Sequence, residues 1–238
     1  MDYRKPAVFG ENWSSSRYQV LPYFAAEKKL FMSPEVAYVL DLGCANGWNM
    51  SRFKQYGELM EVGINVSGAV FGLDTVLERV KLAREHGPVM VASGLEVPIA
   101  GESFDVVYIQ HVLHHIGDVK QALYEARRVL KPGGFLFLIE TVEDSPIIRW
   151  GRRLYPSWLG DEINAPFTFT GLQEQVGDAG FQSVRAEQYS VFFWIWEILP
   201  DQIPFMERLT PLFVRIEQIL VRFLRRYSAH CYLVAQKV

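Results

Sequence analysis

The segment Asp41-Leu42-Gly43-Cys44-Ala45-Asn46-Gly47 closes a short apolar run and carries residue types suited to holding a ligand against main chain. Gly43 and Gly47 permit backbone conformations and close approach that a Cβ would block. Ala45 keeps the same surface open. The spacing is neither G-x-G-x-x-G nor G-x-x-x-x-G-K-[ST], and no lysine stands in the turn to meet a phosphate. The pattern points to a ligand without a pyrophosphate, such as a nucleoside bearing an amino-acid tail. A second group, His111, His114 and His115, follows an apolar run dense in Val, Tyr and Ile. Histidine titrates near neutrality, so His111 and His114 are candidate bases. Packing at a helix start is the competing and heavier role for such a pair. Glu140 ends another apolar run, where it would orient an acceptor or cap a turn. Tyr18, in the lead-in, would close over a ligand or pack in the core. Trp150, Arg152, Arg153, Tyr155 and Trp158 combine aromatic and cationic groups that grip aromatic or anionic molecules.

These residues need a frame, and the apolar pattern supplies one. Short apolar runs predict strands at 36–42, 61–66, 89–92, 105–110 and 135–140, each followed by helical spacing or a stop. Ser67 would cap a helix running to about residue 85. Residues 119–130 place Ala122, Leu123, Ala126, Val129 and Leu130 on one face, and Lys131-Pro132-Gly133-Gly134 stops them. Alternating strands and helices predict an α/β fold with a parallel sheet covered on both faces. Beyond it lie a helix at 171–179 and strands at 183–189 and 230–236. A stretch of roughly forty residues separates the last two strands, too long for a plain loop. Its 211–226 portion has helical spacing, with Arg215, Arg222, Arg225 and Arg226 on the polar face. The organisation expected is a lead-in or cap at 1–35, a cofactor-binding core at 36–190, a helical insert at 191–228 and a final core strand at 229–238.

The 238 residues, half of them apolar, suit one large domain with a sizeable core. The net charge of −3 gives no global pull toward nucleic acid. Cys44 and Cys231 lie far apart, with neither metal-ligand spacing nor a disulfide framework, which fits a cytoplasmic setting. Residues 1–6 lack the apolar core of a signal peptide. No apolar run reaches the ~20 residues that a membrane span needs.

Three blocks together resemble the class I S-adenosylmethionine-dependent methyltransferases. Asp-Leu-Gly-Cys-Ala-Asn-Gly at 41–47 resembles the first motif of that family. The run Ser103-Phe104-Asp105-Val106-Val107-Tyr108-Ile109-Gln110-His111-Val112-Leu113-His114-His115-Ile116 resembles a later one. Ala126-Arg127-Arg128-Val129-Leu130-Lys131-Pro132-Gly133-Gly134 looks like the motif after the next helix. The order and spacing match over roughly 36–140. The resemblance is to the small-molecule branch, of methyltransferase type 11. It implies a Rossmann-like sheet of seven strands, ordered 3-2-1-4-5-7-6 with strand 7 antiparallel. It implies S-adenosyl-L-methionine as cofactor and S-adenosyl-L-homocysteine as product. The cofactor site implied comprises Asp41, Gly43, Cys44, Ala45, Asn46, Gly47, Asn65, Val66, Ser67, Ser93, Gly94, Leu95, Gln110 and His111. No metal is expected.

Two positions depart from the family pattern. An acidic residue usually ends the second strand and bonds both ribose hydroxyls; with that strand at 61–66, the position is Asn65, which carries no charge. A second acidic residue usually meets the adenine amino group; aligning Val97-Pro98 with the family's Leu-Pro puts Ser93 there. Gly94 and Leu95 would still offer an amide and an apolar wall, and Glu61 or Glu96 a substitute bond. The expected function is methyl transfer to a small apolar or aromatic acceptor. Its neighbours would be Tyr18, Glu140, Trp150, Tyr155 and Trp194, with His111 or His114 as base. The rival is a methyltransferase-like protein without methyl transfer, either a partner subunit or a cofactor-assisted cyclase or decarboxylase. No nucleic-acid partner is expected. The insert, aromatic through Phe192, Phe193, Trp194, Trp196 and Phe205, would cap an apolar acceptor or form a homodimer surface. Its basic helix resting on a membrane is the minority reading.

Overall fold

The computed structural model describes residues 22–31, 38–58, 70–146, 149, 167–191 and 206–238. In chain order the elements are α1 (Pro22–Phe31), β1 (Val39–Leu42), α2 (Trp48–Glu58), β2 (Val70–Asp74), α3 (Leu77–Ala83) and β3 (Val89–Val91). Then come β4 (Phe104–Gln110), α4 (Val119–Val129), β5 (Leu130–Thr141), α5 (Phe169–Asp178), β6 (Phe181–Tyr189), α6 (Met206–Leu224) and β7 (His230–Lys237). The strands form one sheet, ordered β3-β2-β1-β4-β5-β7-β6. Neighbours from β3 to β5 run parallel, and β7 is antiparallel to both β5 and β6. This is the strand order and polarity that the family resemblance implies.

Side chains alternate across the strands, and each face packs its own layer. Leu40, Leu42, Val107, Ile109, Leu136 and Leu138 pack with Ala122, Leu123 and Ala126 of α4 and Leu172 and Val176 of α5. Val39, Val106, Tyr108, Phe137 and Ile139 face the other way, against Phe31 of α1, Met50 and Phe53 of α2, and Phe213 and Val214 of α6. Asp118 starts α4 by accepting the amide of Gln121 at 2.9 Å.

The second strand corrects an expectation. It is Val70–Asp74, not 61–66, and pairs with β1 through Val39↔Val70 and Asp41↔Gly72. Gly72 is required because Cys44 and Met50 lie across it; a Cβ there would sit 2.7 Å from Cys44 Sγ and 2.6 Å from Met50 Sδ. Asn65, Val66 and Ser67 lie outside the described residues. The helix expected to span 67–85 is α3, Leu77–Ala83, continued by a 3-10 turn at Arg84–His86. Strand β5 also starts earlier than expected. Its first pairing, Phe104↔Leu130, jumps to Val106↔Phe135, so Lys131–Gly134 form an irregularity within the strand. Gly133 there has φ +76°, and Lys131 pairs with Asp105 at 2.7 Å.

Candidate active site

Open parallel sheets bind ligands beyond the carboxyl ends of their strands, and the glycine turn, Asp74, Gln110, His111 and Glu140 of this chain collect at that edge. The turn after β1 holds three residues in the left-handed region: Gly43 (φ +84°), Ala45 (φ +47°) and Gly47 (φ +82°). The amides of Gly43 and Cys44 both donate to Leu73 O, at 2.7 and 2.9 Å, tying the turn to β2. Val112 covers Gly43 so closely that a Cβ would lie 2.2 Å from its Cγ2. Asp74, at the end of β2, accepts the Ala45 amide on Oδ2 at 3.0 Å and the Val76 amide on Oδ1 at 2.9 Å. The position that the sequence reading gave to Asn65 thus belongs to a carboxylate. Two apolar runs compete here, and the connection from α2 to β2 is longer than the reading allowed.

Asp41 lies inside β1 and is buried. Its Oδ1 accepts Asn49 Nδ2 at 3.4 Å, while Oδ2 has no hydrogen-bond partner among the described residues. Burial pushes its carboxyl up to about 7, against the Asn49 bond and the nearby Arg52 charge. Behind it runs a buried polar chain. Arg52 pairs with Glu27 and donates to Asn49 Oδ1 at 2.9 Å and to the Tyr108 hydroxyl at 3.1 Å. Tyr108 donates to Glu27 Oε2 at 2.7 Å and lies 3.3 Å from Gln110 Oε1. Of these residues, the sequence alone points to Asp41 and Gln110.

Cys44 is buried, and desolvation drives its thiol pKa upward, leaving it protonated. Asn46 is exposed. Ser93 is exposed at the end of β3, with its Oγ accepting the Leu95 amide at 3.1 Å. Gly94 is buried against Leu42. A hollow lined by Ala92, Ser93, Glu96, Val97, Pro98 and Ile99 opens beside β3 but includes none of the glycine turn.

Glu140, at the end of β5, is fully buried and engaged on both oxygens. Oε1 accepts the amides of Val112 (3.0 Å) and Leu113 (2.7 Å), and Oε2 meets His114 Nδ1 at 2.7 Å. Its contacts are those of a group that fixes the loop after β4; burial leaves it no surface to offer an acceptor. His111, in that loop, has φ +54°. Burial first, and the neighbouring His230 second, pull its pKa down to about 3, so its ring is neutral. His230 lies 5.5 Å from the His111 ring, and Tyr189 stacks on His230 at 5.5 Å. The sequence reading missed both His230 and Tyr189. Their signal was the antiparallel last strand: its first residue returns to the carboxyl edge of the others, where Tyr189 and Thr141 pair with His230. Tyr18, Trp150, Tyr155 and Trp194 lie outside the described residues. Among the described residues no group of three His, Cys, Asp or Glu side chains is arranged to hold a metal.

Residues 40–138 match the model of the methyltransferase domain family. Demethylmenaquinone methyltransferase of Lactiplantibacillus plantarum is 34% identical over 183 residues, covering 65% of this chain and 74% of that protein. The chain belongs to the methyltransferase family. A tRNA (carboxymethyluridine(34)-5-O)-methyltransferase of Schizosaccharomyces pombe is 29% identical over 154 residues, 65% of the methyltransferase described here. The chain spans 37% and 55% of the length of two of its curated relatives. Among solved structures, a SAM dependent methyltransferase from Archaeoglobus fulgidus shares the fold. Its TM-score is 0.65 at 18% identity, over 95% of this chain and 97% of that one.

Proposed function

We propose that this methyltransferase moves the methyl group of S-adenosylmethionine to a small apolar or aromatic acceptor. The observation that carries the proposal is the placement of two carboxylates, Asp41 and Asp74, on either side of a glycine turn at the carboxyl edge of the sheet. The residues suit the cofactor. Asp41 Oδ2 is a buried oxygen awaiting a donor, and an ammonium group would satisfy it and stabilise its charge. Asp74 keeps lone pairs beyond those taken by Ala45 and Val76, available to two hydroxyls. Gly94 and Leu95 would face the base, and Ser93 would supply a neutral bond. Gln110 would complete the floor at the end of β4.

Bound S-adenosylmethionine supplies a methyl already activated on a sulfonium. The chain's own task is then alignment of the acceptor. His111, His230 and Tyr189 form a wall of rings at the same edge. The lowered pKa makes His111 a weak base, poorly matched to proton abstraction, while its neutral ring is well suited to hydrogen-bond an acceptor. His114, held by Glu140, positions that loop. The segments 1–35 and 191–228, which carry Tyr18 and Trp194, would cover the acceptor together with Trp150 and Tyr155 of the core. The Lactiplantibacillus relative is named for demethylmenaquinone, which supports the apolar aromatic class.

The reading without methyl transfer loses the support of Asn65, because Asp74 ends β2; Ser93 remains in its favour. Calorimetry with S-adenosylhomocysteine, followed by incubation with labelled methyl donor and separate pools of hydroquinones, phenols and tRNA, tests the proposal. At least micromolar binding and label in a small-molecule pool are expected. No heat and no thermal shift at millimolar ligand would overturn it, as would label confined to tRNA.

A further inference from the structure

Helix α6 packs one face on the sheet and leaves another uncovered. Phe213 and Val214 join the core layer against Phe137 and Tyr232. Glu217 is buried and accepts the Val191 amide at 2.7 Å, which pins the helix beside the end of β6. Leu209, Leu212, Ile216, Ile219 and Phe223 recur at i, i+3, i+7, i+10 and i+14, a single stripe along the helix. Leu212 is 54%, Ile219 59% and Phe223 76% exposed. Arg215 and Arg222, spaced i and i+7, border that stripe, and Arg225 and Arg226 follow in the 3-10 turn after the helix; all four are exposed. Between Leu209 and Tyr227 the only carboxylate is Glu217, which points its oxygen inward to Val191.

We propose that this face of α6 docks on an anionic lipid bilayer. The helix would lie in the plane of the surface, with the apolar stripe below the headgroups and the arginines beside the phosphates. An apolar stripe bordered by cations is what an interfacial helix presents. Each arginine near an anionic surface adds to the attraction, and its long stem lets the charge stay at headgroup level while the stripe is immersed. Charge argues against a second copy as the occupant. Two such helices pressed together would bring arginine rows near each other, and from Leu209 to Tyr227 no exposed carboxylate stands beside them to offset the repulsion. No described helix is long and apolar enough to cross a membrane, so the contact is one of lying on, not spanning. The docking stands independently of methyl transfer. Its bearing on the proposed activity is that α6 is tied to Val191, two residues from Tyr189 in the ring wall. Docking would therefore hold the acceptor side of the site near the bilayer, where apolar acceptors dissolve.

Flotation of the full chain with vesicles tests this. Vesicles of phosphatidylcholine with phosphatidylglycerol should carry the protein up, and phosphatidylcholine alone should carry little. Ile219→Ser with Phe223→Ser, and separately Arg215→Glu with Arg222→Glu, should each lower partitioning at least about tenfold. Thermal unfolding should be near wild type for both pairs, since the side chains are exposed. Equal flotation of wild type and folded variants would overturn the proposal, as would no flotation of the wild type with anionic vesicles. A self-association seen by ultracentrifugation and abolished by Phe223→Ser, without vesicle binding, would assign the stripe to a second copy instead.

Discussion

The carboxylate of Asp74 accepts the amide of Ala45 at 3.0 Å, so the end of β2 holds the crest of the turn that follows β1. Asp74→Ala should therefore act twice, loosening the turn and removing the acidic partner proposed for the ribose. Affinity for S-adenosylhomocysteine should fall at least about tenfold, and the melting temperature should drop. Asn65→Ala should leave the affinity within about twofold of wild type. Calorimetry on the two variants checks the assignment, and a reversed ranking would return the role to Asn65.

Gly43 combines φ +84° with a Val112 methyl where its Cβ would fall. Gly43→Val should abolish cofactor binding and lower stability by about 2 kcal/mol or more. Gly43→Ala paired with Val112→Ala should regain part of that stability, because the clash is relieved while the strained φ persists. Chemical denaturation measures both; no recovery in the double variant would mean that Val112 is not the obstacle.

Burial raises the Asp41 pKa to about 7 from 3.8. The folded state then holds a proton that the unfolded state has released between those values, so stability falls as pH rises through that window. Asp41→Asn removes this dependence. Its stability relative to wild type should climb from about pH 4 to about pH 7 and then level, by on the order of a few kcal/mol. Without added ligand, a flat difference across that range would contradict the assignment. Affinity of the wild type for S-adenosylhomocysteine should tighten as pH rises through the same window.

His111 shifts the other way, down to about 3 from 6.5. Here the unfolded chain takes up a proton first, so stability grows as pH rises from about 3 to about 6.5. Replacing His111 with Gln should flatten that acid limb. His111→Gln that unfolds at low pH as the wild type does would show that the ring is not held neutral.

Glu140 binds two backbone amides and His114 from a fully buried position. Glu140→Ala should cost about 1–3 kcal/mol, because it strands buried donors. His230→Asn should instead spare the fold and raise the acceptor KM several-fold, with affinity for S-adenosylhomocysteine unchanged. Unfolding curves and steady-state kinetics separate the two effects.

The central sheet was legible wherever pattern and stop signals coincided. The run at 106–109 is uniformly apolar between Asp105 and Gln110, as a strand covered on both faces must be, and α4 shows five apolar residues on one side before Lys131-Pro132-Gly133-Gly134. The second strand was not legible, because Glu61–Val66 and Val70–Asp74 are both apolar runs of strand length, and local pattern carries no information on which pairs with β1. Only the sheet, where Cys44 and Met50 need Gly72, decides between them. Asp41 and the glycine turn could be read from residue types. For His230 and Tyr189 the antiparallel last strand gives the edge but not the partner, because their meeting depends on the register of a pair some forty residues apart in sequence. Glu140 was visible as a carboxylate at a strand end, but its burial, and hence its task, is a property of packing.

Strand β7 lies between β5 and β6, although residues 230–237 are made after both. During synthesis on the ribosome the sheet therefore stays split, with two unpaired edges, until those residues emerge. His230 arrives with the same strand, so the ring wall closes in the step that completes the sheet. A nascent chain can hold its glycine turn early, yet its acceptor side is assembled last, and the open edges before that moment are where a chaperone would bind.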